Sequence, residues 1–426
     1  MPRNPWAGPA TVDSPYAYAR MLIALVLMTL GAGGMYVVPV VLPVVQADFG
    51  ITRAEAALPY TLLMIGFGIG GIWLGRMADK RGVTVPLVLG GIALAAGYSL
   101  AAAADNIILF ALVHGVIIGT IGCASSFSPL IADISHWFVK RRGIAVAVCA
   151  SGNYLAGVVW PPIVQHFIET IGWRQTYVAY GIFTGVLMIL LALTMRRRPP
   201  LHEVSVAAVK SVDAHSLGAD SSKPFGMSPR SAQFLLCVAA VGCCVAMSMP
   251  QVHIVAYCGD LGYGPARGAQ MLSLMLGFGI ASRLVSGVVS DKIGGLRTLL
   301  VNSIAQSTVL LLFLPFDGLA SLYVISALFG IAQGGLVPSY AIIVREHFSA
   351  REAGARVGMV MTFTMVGMAL GGWMSGMIFD LTGSYQAAFI NGFAFNVMNA
   401  AIVYFLLRRT RRKELPVFDA GSLKEA

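Results

Sequence analysis

Charge is scarce in this sequence. Of 426 residues only 11% are Asp, Glu, Lys or Arg, whereas a soluble domain carries about 25%. A water-soluble chain of this length could not cover its surface with so few charges, which excludes a soluble enzyme. Metal-ligand spacing is missing as well. The six cysteines (Cys123, Cys149, Cys237, Cys243, Cys244 and Cys258) lie in or beside apolar runs, without a CxxC pair. They read as small packing residues and imply neither disulfides nor a metal. Nothing resembles an ATP-binding segment, and no cofactor is expected. Gly66-Phe67-Gly68-Ile69-Gly70 sits in an apolar run with no strand before it, so it is not a nucleotide loop. A cleavable leader is not expected either, because the first apolar run is too long for a signal-peptide core.

What the chain does have is hydrophobic length. Hydrophobic residues make up 57% of it, and a bilayer core takes about 20 apolar residues per helix. Runs of that kind fall near 19–45, 55–75, 83–104, 107–135, 143–168 and 174–195. Six more fall near 230–258, 266–290, 297–316, 319–345, 354–379 and 386–407. Between the two sets, 196–229 is rich in Ser, Pro, Lys and Asp, as a linker would be. The expected fold is an all-α membrane protein of twelve transmembrane helices in two pseudo-symmetric six-helix halves. Its expected parts are a first half over 1–195, the linker 196–229, a second half over 230–407 and a tail over 408–426.

The net charge of +10 has a pattern that excludes nucleic acid as a partner. Basic residues cluster between apolar runs, as in Arg76/Lys80/Arg81, Lys140/Arg141/Arg142 and Arg408/Arg409, with no stripe of exposed aromatics among them. With both termini on one side, nearly every Lys and Arg falls on that side. Arg53, Arg174 and Arg267 fall on the other, and Arg283 alone is placed within a span. Cytoplasmic loops carry such an excess, so both termini are expected in the cytoplasm of a bacterial inner membrane or plasma membrane.

The halves share a motif. Gly75-Arg76-Met77-Ala78-Asp79-Lys80-Arg81-Gly82 follows span 2, and Gly287-Val288-Val289-Ser290-Asp291-Lys292-Ile293-Gly294 follows span 8. This doubled G-x-x-[A/S]-D-K-x-G resembles the loop motif of the major facilitator superfamily. Asp79 and Asp291 sit at helix ends, where a carboxylate can pair with Arg or cap a neighbouring helix, and they read as a conformational gate. Further stretches resemble the monocarboxylate transporter family, including its bacterial members and the related oxalate/formate exchangers. They are Trp137-Phe138-Val139-Lys140-Arg141-Arg142-Gly143 with Gly172-Trp173-Arg174, Val252-His253-Ile254-Val255-Ala256-Tyr257, and Ser282-Arg283-Leu284-Val285-Ser286-Gly287. Phe379-Asp380-Leu381-Thr382-Gly383-Ser384-Tyr385 is a fourth.

A charge deep in a bilayer survives mainly where it is wet or paired. Arg283 can hold a carboxylate through two parallel hydrogen bonds, and it matches the substrate-binding arginine that the resemblance implies. His253 can donate to a carboxylate or carry a proton, and His114 is a second proton-coupling candidate or else a satisfied core histidine. Tyr36, Asn153, Tyr154, Gln333 and Tyr340 are candidate neutral partners for substrate, with helix packing as the alternative for each. Two departures from the family matter. One turn before Arg283 stands Gly279, where animal monocarboxylate transporters place Asp, and span 1 holds none of their Lys. Span 11 also lacks the Lys that the oxalate/formate exchangers carry. One cavity cation suits a monoanion better than a dianion. The resemblance therefore implies a monomeric carrier in membrane lipid, moving a lactate- or pyruvate-like monocarboxylate with a proton. An exchanger of organic anions is the alternative.

Overall fold

The computed structural model describes residues 11–139, 141–197 and 224–414. Most of the 196–229 linker and the end of the 408–426 tail thus lie outside the described residues. The bilayer explains why this chain is helical. A backbone N–H or C=O without a partner costs several kcal/mol in hydrocarbon, and a helix satisfies its own. Twelve helices are long and apolar enough to cross a membrane, and no strand occurs among the described residues. Spans 1 to 6 are Pro15–Phe49, Arg53–Arg81, Thr84–Ala102, Ile107–Trp137, Arg142–Ile171 and Trp173–Thr194. Spans 7 to 12 are Pro229–Asp260, Pro265–Ile293, Gly295–Leu312, Leu319–His347, Glu352–Thr382 and Gln386–Thr410.

Local chemistry sets the ends of these helices. Ser14 accepts from the Ala17 N–H, with Pro15 in the first turn, and Thr52 with Glu55 forms a reciprocal capping box that opens span 2. Both copies of the repeated loop close on a glycine of one conformation. Gly82 has φ 85° and ψ 161°, and Gly294 has φ 85° and ψ 160°, a region that L side chains avoid. The duplication read from the sequence is a duplication of backbone too.

Small residues let the helices touch. A Cβ at Gly70 would strike the Thr120 carbonyl of span 4, and one at Gly330 of span 10 would strike the Met275 carbonyl of span 8. These are matching contacts in the two halves. Span 4 is less regular than its apolar run suggests. Val113–Gly122 is π-helical, with the Thr120 hydroxyl donating to the Gly115 carbonyl at 2.9 Å.

The halves meet along spans 2 and 11 and along spans 5 and 8. Thr61 donates to the Ala369 carbonyl at 3.2 Å, Gly376 lies against Arg53 and Ala54, and Ser273 donates to the Val158 carbonyl. We call the membrane face bearing Arg81, Arg142 and Lys292 the basic face, and its opposite the far face. At the basic ends of spans 5, 8 and 11 several glycines face open space. A Cβ at Gly143, Gly287, Gly354 or Gly358 would meet no atom within 4 Å. At the far face Asp380 of span 11 holds the Arg53 and Ala54 N–H groups of span 2 across the seam.

One sequence expectation needs correction. Arg283 is not the only cation within a span. Arg20, expected before the membrane, is buried in span 1, where Nε and Nη2 donate to Asp133 of span 4 at 2.7 and 2.9 Å. Its remaining donors reach the Tyr16 hydroxyl and the Met195 carbonyl. A buried charge of this kind is tolerated because it is paired and hydrogen-bonded.

Candidate functional site

Four of the sequence candidates come together on spans 1, 5 and 8. Span 5 lies against span 8 across the seam, which sets Asn153 and Tyr154 beside the span that carries Arg283. The Tyr36 hydroxyl donates to Asn153 Oδ1 at 2.8 Å, and Asn153 Nδ2 rests on Met35 Sδ at 3.4 Å. The Arg283 guanidinium lies over the Tyr154 ring, 4.1 Å from its centroid, an arrangement in which the ring face attracts the cation. Arg283 Nη1 donates to the Ala150 carbonyl at 3.3 Å, while its buried Nε has no partner. No carboxylate among the described residues lies within 4 Å of it. An aromatic face and one long hydrogen bond leave most of this fork of five N–H donors uncommitted.

Gln333 stands close to this group. It accepts from Gln251 Nε2 at 2.7 Å, and its own buried Nε2 has no partner. The next residue, Gly334, packs on the Gly279 carbonyl and the Arg283 nitrogen, so Gln333 is held beside span 8 by main-chain contact.

The structure places the other candidates elsewhere. His114 is buried in the first half, bonded to the Phe110 carbonyl at 2.7 Å and the Tyr177 hydroxyl at 3.3 Å, among Tyr98, Phe110 and Tyr177 rings. Tyr340 donates to Asn399 at 2.8 Å inside the second half, in a polar network with Ser303 and Asn396. His253 is buried with both ring nitrogens engaged, on the Tyr385 hydroxyl at 3.1 Å and the Gly372 carbonyl at 2.8 Å. Asp79 and Asp291 are exposed, and neither has an ion pair or a hydrogen bond among the described residues. In this conformation they neither cap a helix nor hold an arginine.

Capping falls to other carboxylates, which the sequence reading did not single out. Asp380 of span 11 accepts from the Arg53 and Ala54 N–H groups at 2.8 Å each, across the seam at the far face. A carboxylate on the positive end of a helix is favourably placed. The Arg53 side chain meanwhile reaches both oxygens of Asp260, on span 7, at 3.1 Å. It also lies 4.8 Å from the Phe379 centroid and 5.9 Å from that of Tyr385. Since Tyr385 holds His253, that histidine belongs to the lock that closes the far face. The only sequence signal was indirect: Asp380 stands in the family-like stretch Phe379–Tyr385 at the end of span 11. Glu346 does the same at the basic face, accepting from the Gly295 N–H at 3.1 Å.

Comparison with known proteins agrees with this architecture. The family model of the Major Facilitator Superfamily matches residues 23–325 and 304–423. Monocarboxylate transporter 13 of Rattus norvegicus is 26% identical over 340 residues, covering 78% of this chain and 74% of that protein. The MFS-type transporter pynF of Aspergillus niger is 24% identical, covering 84% of this chain and 80% of its own. Among solved structures, the xylose transporter XylE of E. coli in its inward open conformation has a TM-score of 0.69 at 14% identity. That likeness covers 92% of this chain and 96% of XylE. A peptide transporter POT has a TM-score of 0.71 at 14% identity, covering 94% and 97%. These two likenesses concern the fold alone.

Proposed function

This chain belongs to the Major Facilitator Superfamily, a family of transporters and not of enzymes, and from that premise we propose that it carries a small monocarboxylate across the cell membrane. The observation that carries the reading is the Arg283 guanidinium, unneutralised at the seam and with a buried Nε lacking any partner. A buried donor left without a partner costs about 1–3 kcal/mol, more when charged. A carboxylate arriving there gains two charge-assisted hydrogen bonds and removes that cost. The name monocarboxylate transporter, borne by relatives in rat and Bos taurus, supports the same substrate class.

In this reading Arg283 anchors the carboxylate, Tyr154 orients the guanidinium through its ring face, and Tyr36 and Asn153 bond the 2-oxo or 2-hydroxy oxygen. Gln333 Nε2 is the second free donor. The two halves rock around this group, closing one face as the other opens. His253 and His114 remain proton-coupling candidates, His253 through the far-face lock. Asp79 and Asp291 act when the basic face closes and brings them to a partner. Both termini face the cytoplasm, and a proton accompanies the anion.

Uptake of labelled lactate and pyruvate into proteoliposomes tests this, with Arg283→Gln beside the unaltered chain. Acid-driven, saturable uptake that falls by roughly 100-fold in the variant is expected, as for a lost pair of charge-assisted bonds. Flux only against a preloaded anion, whatever the pH, would replace symport by exchange. Equal uptake by both proteins would remove Arg283 from the site.

A further inference from the structure

At the basic face of the first half a cavity of about 520 Å³ opens between spans 1, 2 and 4 and the end of span 6. It lies inside one half, apart from the seam and from Arg283. Its floor is the Arg20–Asp133 pair, which is buried and internally bonded and so carries no net charge. Its rim is different. Lys80, Arg81, Arg196 and Arg197 surround the mouth, all exposed, and Asp79 is the one acid among them. Lys80, Arg81 and Arg196 have no ion pair or hydrogen bond among the described residues, while Arg197 lies over the Tyr16 ring at 5.2 Å.

The backbone adds positive potential at the same place. Span 3 begins at Thr84, its Val83 N-cap offers no side chain to the first N–H groups, and both residues line the cavity. Uncapped N–H groups form the positive end of the helix dipole and take anions readily. Lys80, Arg81 and Arg196, exposed around a concave, water-facing space, call for a counter-charge, and a monocarboxylate would leave most of that charge unmatched. We propose that this cavity binds a phosphate-bearing anion, either the headgroup of an anionic lipid in the adjoining leaflet or a soluble phosphate. Bound there, the anion bridges the loop after span 2 to the end of span 6 and stands beside Asp79. The proposal does not depend on the carboxylate reading of the seam.

The full chain, purified in detergent, is titrated with phosphatidylglycerol and with phosphatidylcholine, and lipid retention is read by native mass spectrometry. Lys80→Gln combined with Arg196→Gln is compared with Arg408→Gln combined with Arg409→Gln, which removes equal charge from the tail on the same face. Apparent affinity for phosphatidylglycerol is expected to fall on the order of 10-fold in the cavity variant, as for two basic residues near a lipid surface. The tail variant should stay within roughly twofold of the unaltered chain, because its charges lie outside the cavity. Displacement of the lipid by inorganic pyrophosphate identifies a soluble phosphate as a ligand, and retention against it identifies the lipid. Equal losses in both variants, or no preference for phosphatidylglycerol over phosphatidylcholine together with no pyrophosphate binding, would overturn the proposal.

Discussion

Beside Arg283, the most informative position is a residue with no side chain. A Cβ at Gly279 would meet Tyr154 at 3.6 Å and the Gly330 carbonyl at 3.7 Å, ordinary contacts that leave room for a small side chain. Gly279→Asp sets a carboxylate one helical turn before Arg283, where (i, i+4) side chains meet. At neutral pH it should neutralise the guanidinium and cut lactate uptake by on the order of 10-fold, the worth of one charge-assisted contact. Acidifying the medium should restore uptake as the new acid takes up a proton. Uptake indifferent to both the substitution and pH would place Gly279 outside the site. Arg20 makes a different kind of prediction. Arg20→Met strands a buried Asp133 and should cost about 3–5 kcal/mol, read as a lowered unfolding temperature in detergent. Adding Asp133→Leu should recover much of the loss. Arg283 was legible in the sequence because it interrupts a long apolar run. Arg20 was not, because it stands so near the start of its run that it reads as a flanking charge.

Between elements, closure of the far face rests on a few polar contacts that cross the seam. Asp380 holds the first turn of span 2, and Arg53 on that turn holds Asp260 of span 7. Asp380→Asn keeps the shape but removes the charge and replaces one of the two N–H acceptors by an NH2 donor. Hydrogen bonds to a charged group contribute about 1.5–3 kcal/mol, so the balance should move toward opening of the far face by roughly 10-fold or more. Spin labels at Ala47 and Thr382, both exposed at that face, should then show a longer distance component. An unchanged distance distribution would mean that the apolar contacts of spans 2 and 11 hold the face shut alone. The helices themselves were readable from apolar length. The lock was not, since charges at span ends look alike whether they face water or a partner.

Across the whole molecule, the sidedness of charge makes the plainest prediction. Basic residues crowd one face, which should keep that face and both termini in the cytoplasm. A fluorescent protein fused after Ala426 should fold and emit, whereas alkaline phosphatase fused there should stay inactive. The reverse pattern would place the basic face and both termini outside the cytoplasm. With that orientation, Asp79 and Asp291, exposed and unpaired among the described residues, stand on the cytoplasmic side.

The sequence by itself determined the twelve crossings, the two matched halves and the repeated Asp-Lys loop with its glycine. The physical reason is that a bilayer imposes its demands along the chain: each crossing must be long, apolar and helical, and each loop must carry its charge on a definite side. Only the tertiary structure decided which polar groups meet. Arg53 and Asp380 are 327 residues apart, and Arg20 and Asp133 are 113 apart. His253 and Tyr340, both plausible cavity groups by span and chemistry, are turned by helix packing toward Tyr385 and Asn399 instead. Facing is set by the rotation of one helix against another, and a run of apolar residues with little amphipathic pattern does not record it.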